Sequence, residues 1–346
     1  MAKKKTESAG VSSSDRELNR ELLRSMLLQR RFEERTAEAY ALGKIGGFCH
    51  LYIGQEAVSS GAFSVLRPDD YVITTYRDHG PALARGMTPR SVMAELFGRL
   101  TGCSHGKGGS MHLFDRNLNF LGGHGIVGAH VPMGTGVAFA IKYRGGDQVC
   151  VCFMGESVVN TGAFHEALNM AGLWKLPIVY LIENNRYGMG TSLERASAIH
   201  DLYQRGAAYN IERASCDGQD VFAVRAAVQQ AVARARADSA PTLLEVRTYR
   251  FMGHSMSDAV SGTYRPKAEL EEWQKRDPIV LLRAHMLALT ELTDDQFHEL
   301  DEEIKAQVQD AWDFADQSPE PPLEALYEDV LVDTTSDSHA QPIVGD

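Results

Sequence analysis

The chain has 346 residues, of which 44% are hydrophobic and 23% charged, so it can bury a large core and does not have the composition of a disordered or fibrous protein. Its 35 Lys and Arg against 46 Asp and Glu give a net charge of −11, which argues against nucleic acid as a partner. The longest charge-free run, residues 117–141, contains six Gly, one Pro and two His and is therefore not a membrane helix. The chain has five Cys, a small and odd number that favours a reducing compartment, with the cytoplasm as the default.

The amino-terminal part of the sequence has a helical pattern. Ser14 and Glu17 match a capping box, and apolar residues then recur at helical spacing up to Gly43, which predicts a long first helix. Residues 1–13 contain three consecutive lysines and several polar residues but lack the apolar core of a signal peptide. They are predicted to form a disordered tail.

The next part of the chain is rich in glycine. Residues 72–75 are a short β-prone run, and Thr88 followed by proline predicts the start of another helix. Eleven of the 31 glycines lie in residues 98–136, a density that predicts loop rather than regular structure. Long loops inside compact domains are usually functional, so this segment is expected to contribute to a binding site.

From Gln148 onward, apolar strand patterns alternate with helical patterns. This alternation is typical of parallel strands joined by crossover helices, and it predicts a doubly wound α/β fold with a mainly parallel sheet. The predicted strands are residues 149–153, 178–182 and 242–246, and the predicted helices are residues 163–174 and 221–237.

The carboxy-terminal part is predicted to be helical after one further loop. The loop comprises residues 253–258, and helices are expected to begin at Asp277 and, with a second capping box, at Thr293. Residues 14–317 are therefore predicted to form one ligand-binding domain with helical N- and C-terminal extensions. Residues 318–346 are acidic and polar and are expected to be a partly disordered C-terminal extension.

Two polar segments follow neighbouring predicted strands. Glu156 follows the first strand and Asn185 the second, and parallel strands bind ligands beyond their carboxyl ends. A carboxylate and an amide oxygen at that edge could share one Mg²⁺, a cation that commonly completes its shell with phosphate oxygens. From these residues alone, a magnesium and diphosphate site and a plain solvated turn both remain open.

Residues 155–188 resemble the thiamine-diphosphate motif, which consists of G-D-G, a spacer and N-N, in the E1 α subunits of 2-oxo-acid dehydrogenase complexes. Further matches cover roughly residues 20–330 and are most similar to the pyruvate branch of that family. They are GFCHLYIGQEA at 47–57, TYRDHG at 75–80, GKGGSMH at 106–112, GIVG at 125–128, ENNRYGMGT at 183–191 and GHSMSD at 253–258. The sequence departs from the motif at Glu156 and Ser157, which stand where the motif has Asp and Gly. Branched-chain relatives also carry Glu at the first of these positions, so the resemblance still implies a metal ligand there.

The resemblance implies a set of site residues. Mg²⁺ would be held by Glu156, Asn185 and the main-chain carbonyl of Tyr187. The implied cofactor-binding residues are Tyr76, Arg77, Gly125, Val127, Glu156, Ser157, Val158, Asn185, Tyr187 and His254. The implied catalytic residues are His50, His79 and His254, with His50 also at the substrate.

The resemblance also implies an activity and partners. The activity would be the Mg²⁺- and thiamine-diphosphate-dependent oxidative decarboxylation of pyruvate, with transfer of the acetyl group to the lipoyl domain of an E2 acyltransferase. The chain would act only with an E1 β subunit, as an α2β2 assembly. The alternatives are an acetoin or a branched-chain 2-oxo-acid dehydrogenase α subunit, and a non-catalytic scaffold for a β subunit.

Overall fold

The computed structural model describes residues 13–329. The predicted disordered tail, except Ser13, and residues 330–346 of the predicted C-terminal extension lie outside the described residues. The helices are α1 (Ser13–Ala41), α2 (Glu56–Phe63), α3 (His79–Arg85), α4 (Pro89–Leu96), α5 (His130–Tyr143), α6 (Gly162–Trp174), α7 (Leu193–Ala196), α8 (Val221–Asp238), α9 (Lys267–Gln274), α10 (Pro278–Ala288) and α11 (Asp294–Gln317). The strands are β1 (Tyr71–Thr75), β2 (Phe120–His124), β3 (Cys150–Gly155), β4 (Ile178–Asn184), β5 (Tyr187–Gly188), β6 (Thr191–Ser192), β7 (Glu212–Asp217) and β8 (Thr242–Arg247).

Six strands form one parallel sheet in the order β2-β1-β3-β4-β8-β7. The short strands β5 and β6 pair with each other as an antiparallel hairpin. In this order, β2 lies on one side of β1 and β3 lies on the other. The chain runs outward from β1 to β2, returns to β3 and then runs outward in the opposite direction to β4. The crevice at the carboxyl ends of β1 and β3 is therefore the topological switch point. The predicted doubly wound, mainly parallel α/β fold is confirmed.

Each face of the sheet is covered by a separate apolar core. Successive side chains along a strand point to opposite faces. In β3, Val151 and Phe153 belong to the core shared with α1, α2, α8 and α11, whereas Cys150, Cys152 and Met154 belong to the core shared with α5 and α6. The central strands are thus buried on both faces, which explains why their sequences are continuous apolar runs.

Three of the predicted helix starts have the expected caps. The Thr88 side chain accepts a hydrogen bond from the Ser91 backbone N–H, and Asp277 caps α10 in the same manner. Thr293 and Gln296 form both hydrogen bonds of a capping box at the start of α11. The first helix is also confirmed, although it begins one residue before Ser14. Within residues 13–329, no helix combines the length and the apolar character that crossing a lipid bilayer requires.

The prediction of continuous loop over residues 98–136 is wrong in part. Strand β2 and the first half of α5 lie within that segment. Its glycines permit close packing: a Cβ on Gly123 would lie 2.1 Å from the Asp78 carboxylate, and one on Gly134 would lie 3.1 Å from Ile73. Strand β7 was not predicted, because it is a polar strand at the edge of the sheet and has no apolar run.

Candidate functional site

A cleft lies at the carboxyl ends of β1, β3 and β4, at the switch point of the sheet. Nine of the residues predicted from the sequence line it together: Tyr76, Arg77, Val127, Glu156, Ser157, Val158, Asn185, Tyr187 and His254. The cleft walls also contain residues that were not predicted, namely Gln55, Thr75, His124, His130, Gly155, Glu183, Gly188, Met189 and Arg250.

Glu156 directly follows β3 and is a buried carboxylate. Burial raises its pKa because it penalises the charged form, whereas a hydrogen bond from the Asn185 backbone lowers it. Ser157 Oγ donates to Glu156 Oε1 at 3.2 Å. A Cβ on Gly188 would lie 2.0 Å from this hydroxyl, so the glycine at 188 provides the space for the serine at 157. The departure from the sequence motif is therefore accommodated, and the serine supports the carboxylate.

The turn after β4 brings two further oxygen atoms to the cleft. Asn185 Oδ1 accepts a hydrogen bond from the Tyr187 backbone N–H at 3.4 Å. Arg250 Nη1 approaches the Tyr187 carbonyl at 3.4 Å. Together with Glu156, the turn provides one carboxylate, one amide and one backbone carbonyl. Oxygen donors of these types suit Mg²⁺, which retains waters and shares its shell with phosphate oxygens.

Two buried arginines give the cleft a positive character. Arg77 is 5% exposed and Arg250 is 1% exposed. Arg77 donates to the carbonyls of Leu51, at 2.7 Å, and His254, at 2.8 Å. Burial and the neighbouring Arg250 lower the pKa of Arg77 to about 10, so Arg77 stays charged near neutral pH.

Neither arginine forms a salt bridge within residues 13–329. Carbonyl oxygens satisfy some of their N–H groups but do not neutralise their charge. Buried charges are normally paired, because their desolvation is costly. Two guanidinium groups that share a cleft and form no salt bridge in the described part of the chain therefore fit an anionic ligand such as a diphosphate.

Two of the predicted catalytic histidines cluster with Tyr76. The His50 ring centroid lies 4.6 Å from that of Tyr76 and 5.1 Å from that of His254. Burial, followed by the charge of Arg77, lowers the pKa of His50 to about 2 and that of His254 to about 4. The Nδ1 atom of each ring has no hydrogen-bond partner among the described residues. Neutral imidazoles with a free nitrogen atom are suited to form a hydrogen bond with a ligand.

His50, which contacts the cleft residues Tyr76 and His254, is itself not part of the cleft wall, and neither are His79 and Gly125. The His79 ring is fully buried behind the site, where it contacts Glu33 at 2.8 Å and the Ser110 hydroxyl at 2.9 Å. Gly125 lies beside His112, whose Cε1 would be 3.4 Å from a Cβ at that position. The roles of these two residues stay predictions.

Arg250 and Gln55 are the main cleft residues that the sequence reading missed. Arg250 lies four residues before His254, and Gln55 lies in the GQEA segment. Gln55 belongs to a matched segment and Arg250 lies just before another, but a single arginine or glutamine carries no pattern of its own. Gln55 is fully buried and both polar atoms of its amide lack a partner among the described residues, which marks it as a candidate ligand contact.

Two histidines that received no role from the sequence also line the cleft. His130 Nε2 donates to the Phe153 carbonyl at 2.8 Å, and burial lowers its pKa to about 4. The ring of His124 stacks on that of His130 with the centroids 6.0 Å apart. In residues 13–329, no group of three or more His, Cys, Asp or Glu side chains is arranged to hold a metal ion. The predicted magnesium ligands do not form such a group, because Glu156 is the only His, Cys, Asp or Glu side chain among them.

The fold and the cleft define an α/β protein whose ligand site lies at the switch point of a parallel sheet and is built for an anion. Comparison with known proteins gives the particular family. The chain belongs to the dehydrogenase E1 component family, whose model matches residues 24–324. Thiamine diphosphate is the cofactor of this family in general.

Similar proteins are known from several bacteria. The chain is 49% identical, over 96% of its length and 95% of the relative's, to the pyruvate dehydrogenase E1 component subunit alpha of Rhizobium meliloti. It is 49% identical to the protein of the same name from Rickettsia felis, over 89% of this chain and 94% of the relative. The Zymomonas mobilis protein of that name is also 49% identical, over 93% of this chain and 91% of the relative.

Proposed function

We propose that this chain is the α subunit of a pyruvate dehydrogenase E1 component and that its cleft binds the diphosphate end of thiamine diphosphate with Mg²⁺. The observation that carries the proposal is the convergence of Arg77, Glu156 and Asn185 just beyond the ends of three adjacent strands, β1, β3 and β4. The relatives described above support pyruvate as the substrate.

The proposed metal ligands are Glu156, Asn185 and the Tyr187 carbonyl. Arg77 and Arg250 would neutralise the diphosphate, because each is a buried cation that lacks a carboxylate partner in the described part of the chain. The other proposed cofactor contacts are Tyr76, Gly125, Val127, Ser157, Val158 and His254.

The side chains at the cleft have defined tasks in this reaction. When bound, thiamine diphosphate supplies the carbon nucleophile and the electron sink for decarboxylation. His50, at the substrate side, and His254 are neutral near pH 7, and the Nδ1 atom of each lacks a partner among the described residues, so each would hydrogen-bond to the substrate or the cofactor there. Arg77 donates to the His254 carbonyl, so the diphosphate anchor also fixes the loop that carries this histidine. For His79, the buried contacts support a positioning role.

An E1 β subunit is the proposed partner in an α2β2 assembly, as the α designation of the relatives implies. The mouth of the cleft supports it. Ile126, next to the cleft residue Val127, is 75% exposed, and α5 and α6 carry further exposed apolar side chains, among them Tyr143, which is 82% exposed, and Trp174. Large exposed apolar side chains in this number are typical of a subunit interface. The lipoyl domain of an E2 acyltransferase would then receive the acetyl group, and the proposed compartment is the cytoplasm.

The proposal is tested by titrating thiamine diphosphate, with and without Mg²⁺, into the full chain purified together with its β subunit. Glu156→Gln should abolish the Mg²⁺-dependent part of the binding, whereas Glu299→Gln, on the exposed face of α11, should leave it unchanged. Release of CO₂ should be fastest with pyruvate. A preference for branched 2-oxo acids, or turnover of acetoin, would assign the chain to another member of the family. Absence of binding in the assembled complex would identify a scaffold.

A further inference from the structure

Asn184, the last residue of β4, is a buried amide that joins β8 to the proposed metal-binding turn. Its Nδ2 donates to Glu245 Oε1 at 2.7 Å, and its Oδ1 accepts a hydrogen bond from the Arg186 backbone N–H at 3.1 Å. Its own carbonyl accepts from the Thr248 backbone N–H at 2.9 Å. Unlike Asn185, Asn184 does not line the cleft. The first asparagine of the pair therefore holds the turn, while the second faces the ligand.

The turn needs such support because of its backbone conformation. Arg186 has a φ of +74°, in the left-handed region that residues with a side chain rarely adopt. A hydrogen bond from a backbone N–H to an asparagine two residues earlier is a common way to stabilise a turn of this kind. Asn185 and Tyr187 flank Arg186, so the side-chain amide of Asn184 controls the placement of both proposed ligands.

Glu245 fixes the orientation of that amide. It is fully buried on β8, and its Oε2 accepts a hydrogen bond from the Tyr203 backbone N–H at 3.2 Å. Arg247 Nε lies 3.6 Å from Oε1. The Arg186 backbone N–H only donates, so the amide oxygen of Asn184 must face it, and the NH₂ group must face the carboxylate oxygen of Glu245, which accepts. Glu245 therefore holds the amide at its NH₂ end, in the orientation that the turn requires.

We propose that Glu245 is a positioning residue for the metal-binding turn. It fixes the amide of Asn184, which holds the backbone at Arg186 and so places the Asn185 side chain and the Tyr187 carbonyl at the metal. This inference rests on the proposed function, and it assigns the support of the metal site to a strand that contributes no ligand. Residues that orient metal ligands typically affect metal affinity about 10- to 100-fold when they are replaced.

Exchanging the amide and the carboxylate between positions 184 and 245 tests the proposal. Asn184→Asp places two carboxylates opposite each other. Glu245→Gln can accept a hydrogen bond from either Asn184 or Tyr203, but not from both. The NH₂ group of the new glutamine then faces one of these two N–H donors. The double variant Asn184→Asp/Glu245→Gln reverses the hydrogen bond, retains every partner and keeps the net charge. Tyr180→Phe, which removes a buried hydrogen bond of 2.7 Å to Thr135 from the same strand, is the matched control.

The measurement is the Mg²⁺ concentration that half-saturates cofactor binding in the complex with the β subunit. Each single variant should raise it about 10-fold or more, the double variant should recover most of the loss, and kcat at saturating Mg²⁺ and cofactor should be retained. The control should leave it unchanged. If one single variant fails to fold, the other and the double variant provide the comparison. Normal Mg²⁺ dependence in the single variants, or no recovery in the double variant, would overturn the inference alone. Absence of Mg²⁺-dependent binding in the wild type would overturn the proposed function and the inference together.

Discussion

Replacing His79 with alanine should destabilise the fold by about 3–5 kcal/mol, the usual loss when one partner of a buried ion pair is removed. The pair is formed by His79 and Glu33, and it is buried. Both side chains are at most 1% exposed, and His79 Nδ1 lies 2.8 Å from Glu33 Oε2. An exposed pair at that distance would contribute only about 0–1 kcal/mol. Glu33 also accepts the Tyr52 backbone N–H at 2.7 Å, so the loss should spread to the segment that carries His50.

The same pair predicts how the loss depends on pH. Burial alone would lower the pKa of His79, but Glu33, Asp78 and a Ser110 hydrogen bond raise it, and the net shift is upward. A raised pKa in the folded state stabilises the protein fully below the unfolded value of about 6.5, and this contribution is lost as the pH rises through the folded value. The free-energy difference between wild type and His79→Ala should therefore be larger near about pH 6 than near about pH 9.

Urea-induced unfolding, followed by tryptophan fluorescence at both pH values, measures this difference. The double variant Glu33→Gln/His79→Ala is the control, because it leaves no unpaired charge and should lose less than the sum of the two single variants. Unchanged unfolding of His79→Ala together with loss of turnover would refute the reasoning and would give His79 a direct part in the reaction.

Three further predictions concern the site and the core. His254→Ala should slow acetyl transfer to the lipoyl domain more than decarboxylation, measured with an artificial electron acceptor, and an equal loss in both steps would count against it. Arg250→Met should weaken cofactor binding about tenfold or more, because it removes one of two buried cations without a carboxylate partner; unchanged calorimetric affinity would contradict this. Phe153→Ala should cost about 3–5 kcal/mol in urea unfolding, because the ring is fully buried and stacks on Phe63 at 5.5 Å, and a loss below about 1 kcal/mol would show that the core closes over the cavity.

The central sheet was predictable because its strands are buried on both faces and are therefore apolar throughout. Glu156 and Asn185 could be assigned to the same edge of the sheet for the same reason, since each directly follows such a strand. The edge strand β7 gave no comparable signal. Arg250 was missed because its importance comes from its burial and from the lack of a salt bridge to it within residues 13–329, and sequence spacing reports neither property.

The contact between Ser157 and Gly188 couples two distant positions of the sequence. A side chain at 188 would occupy the place of the Ser157 hydroxyl, so the two positions share the space of a single side chain. In this chain, a side chain at 157 and a side chain at 188 exclude each other, so a substitution at either position must be judged together with the residue at the other. Exchanging Ser157 for the glycine of the motif would remove this steric constraint on residue 188.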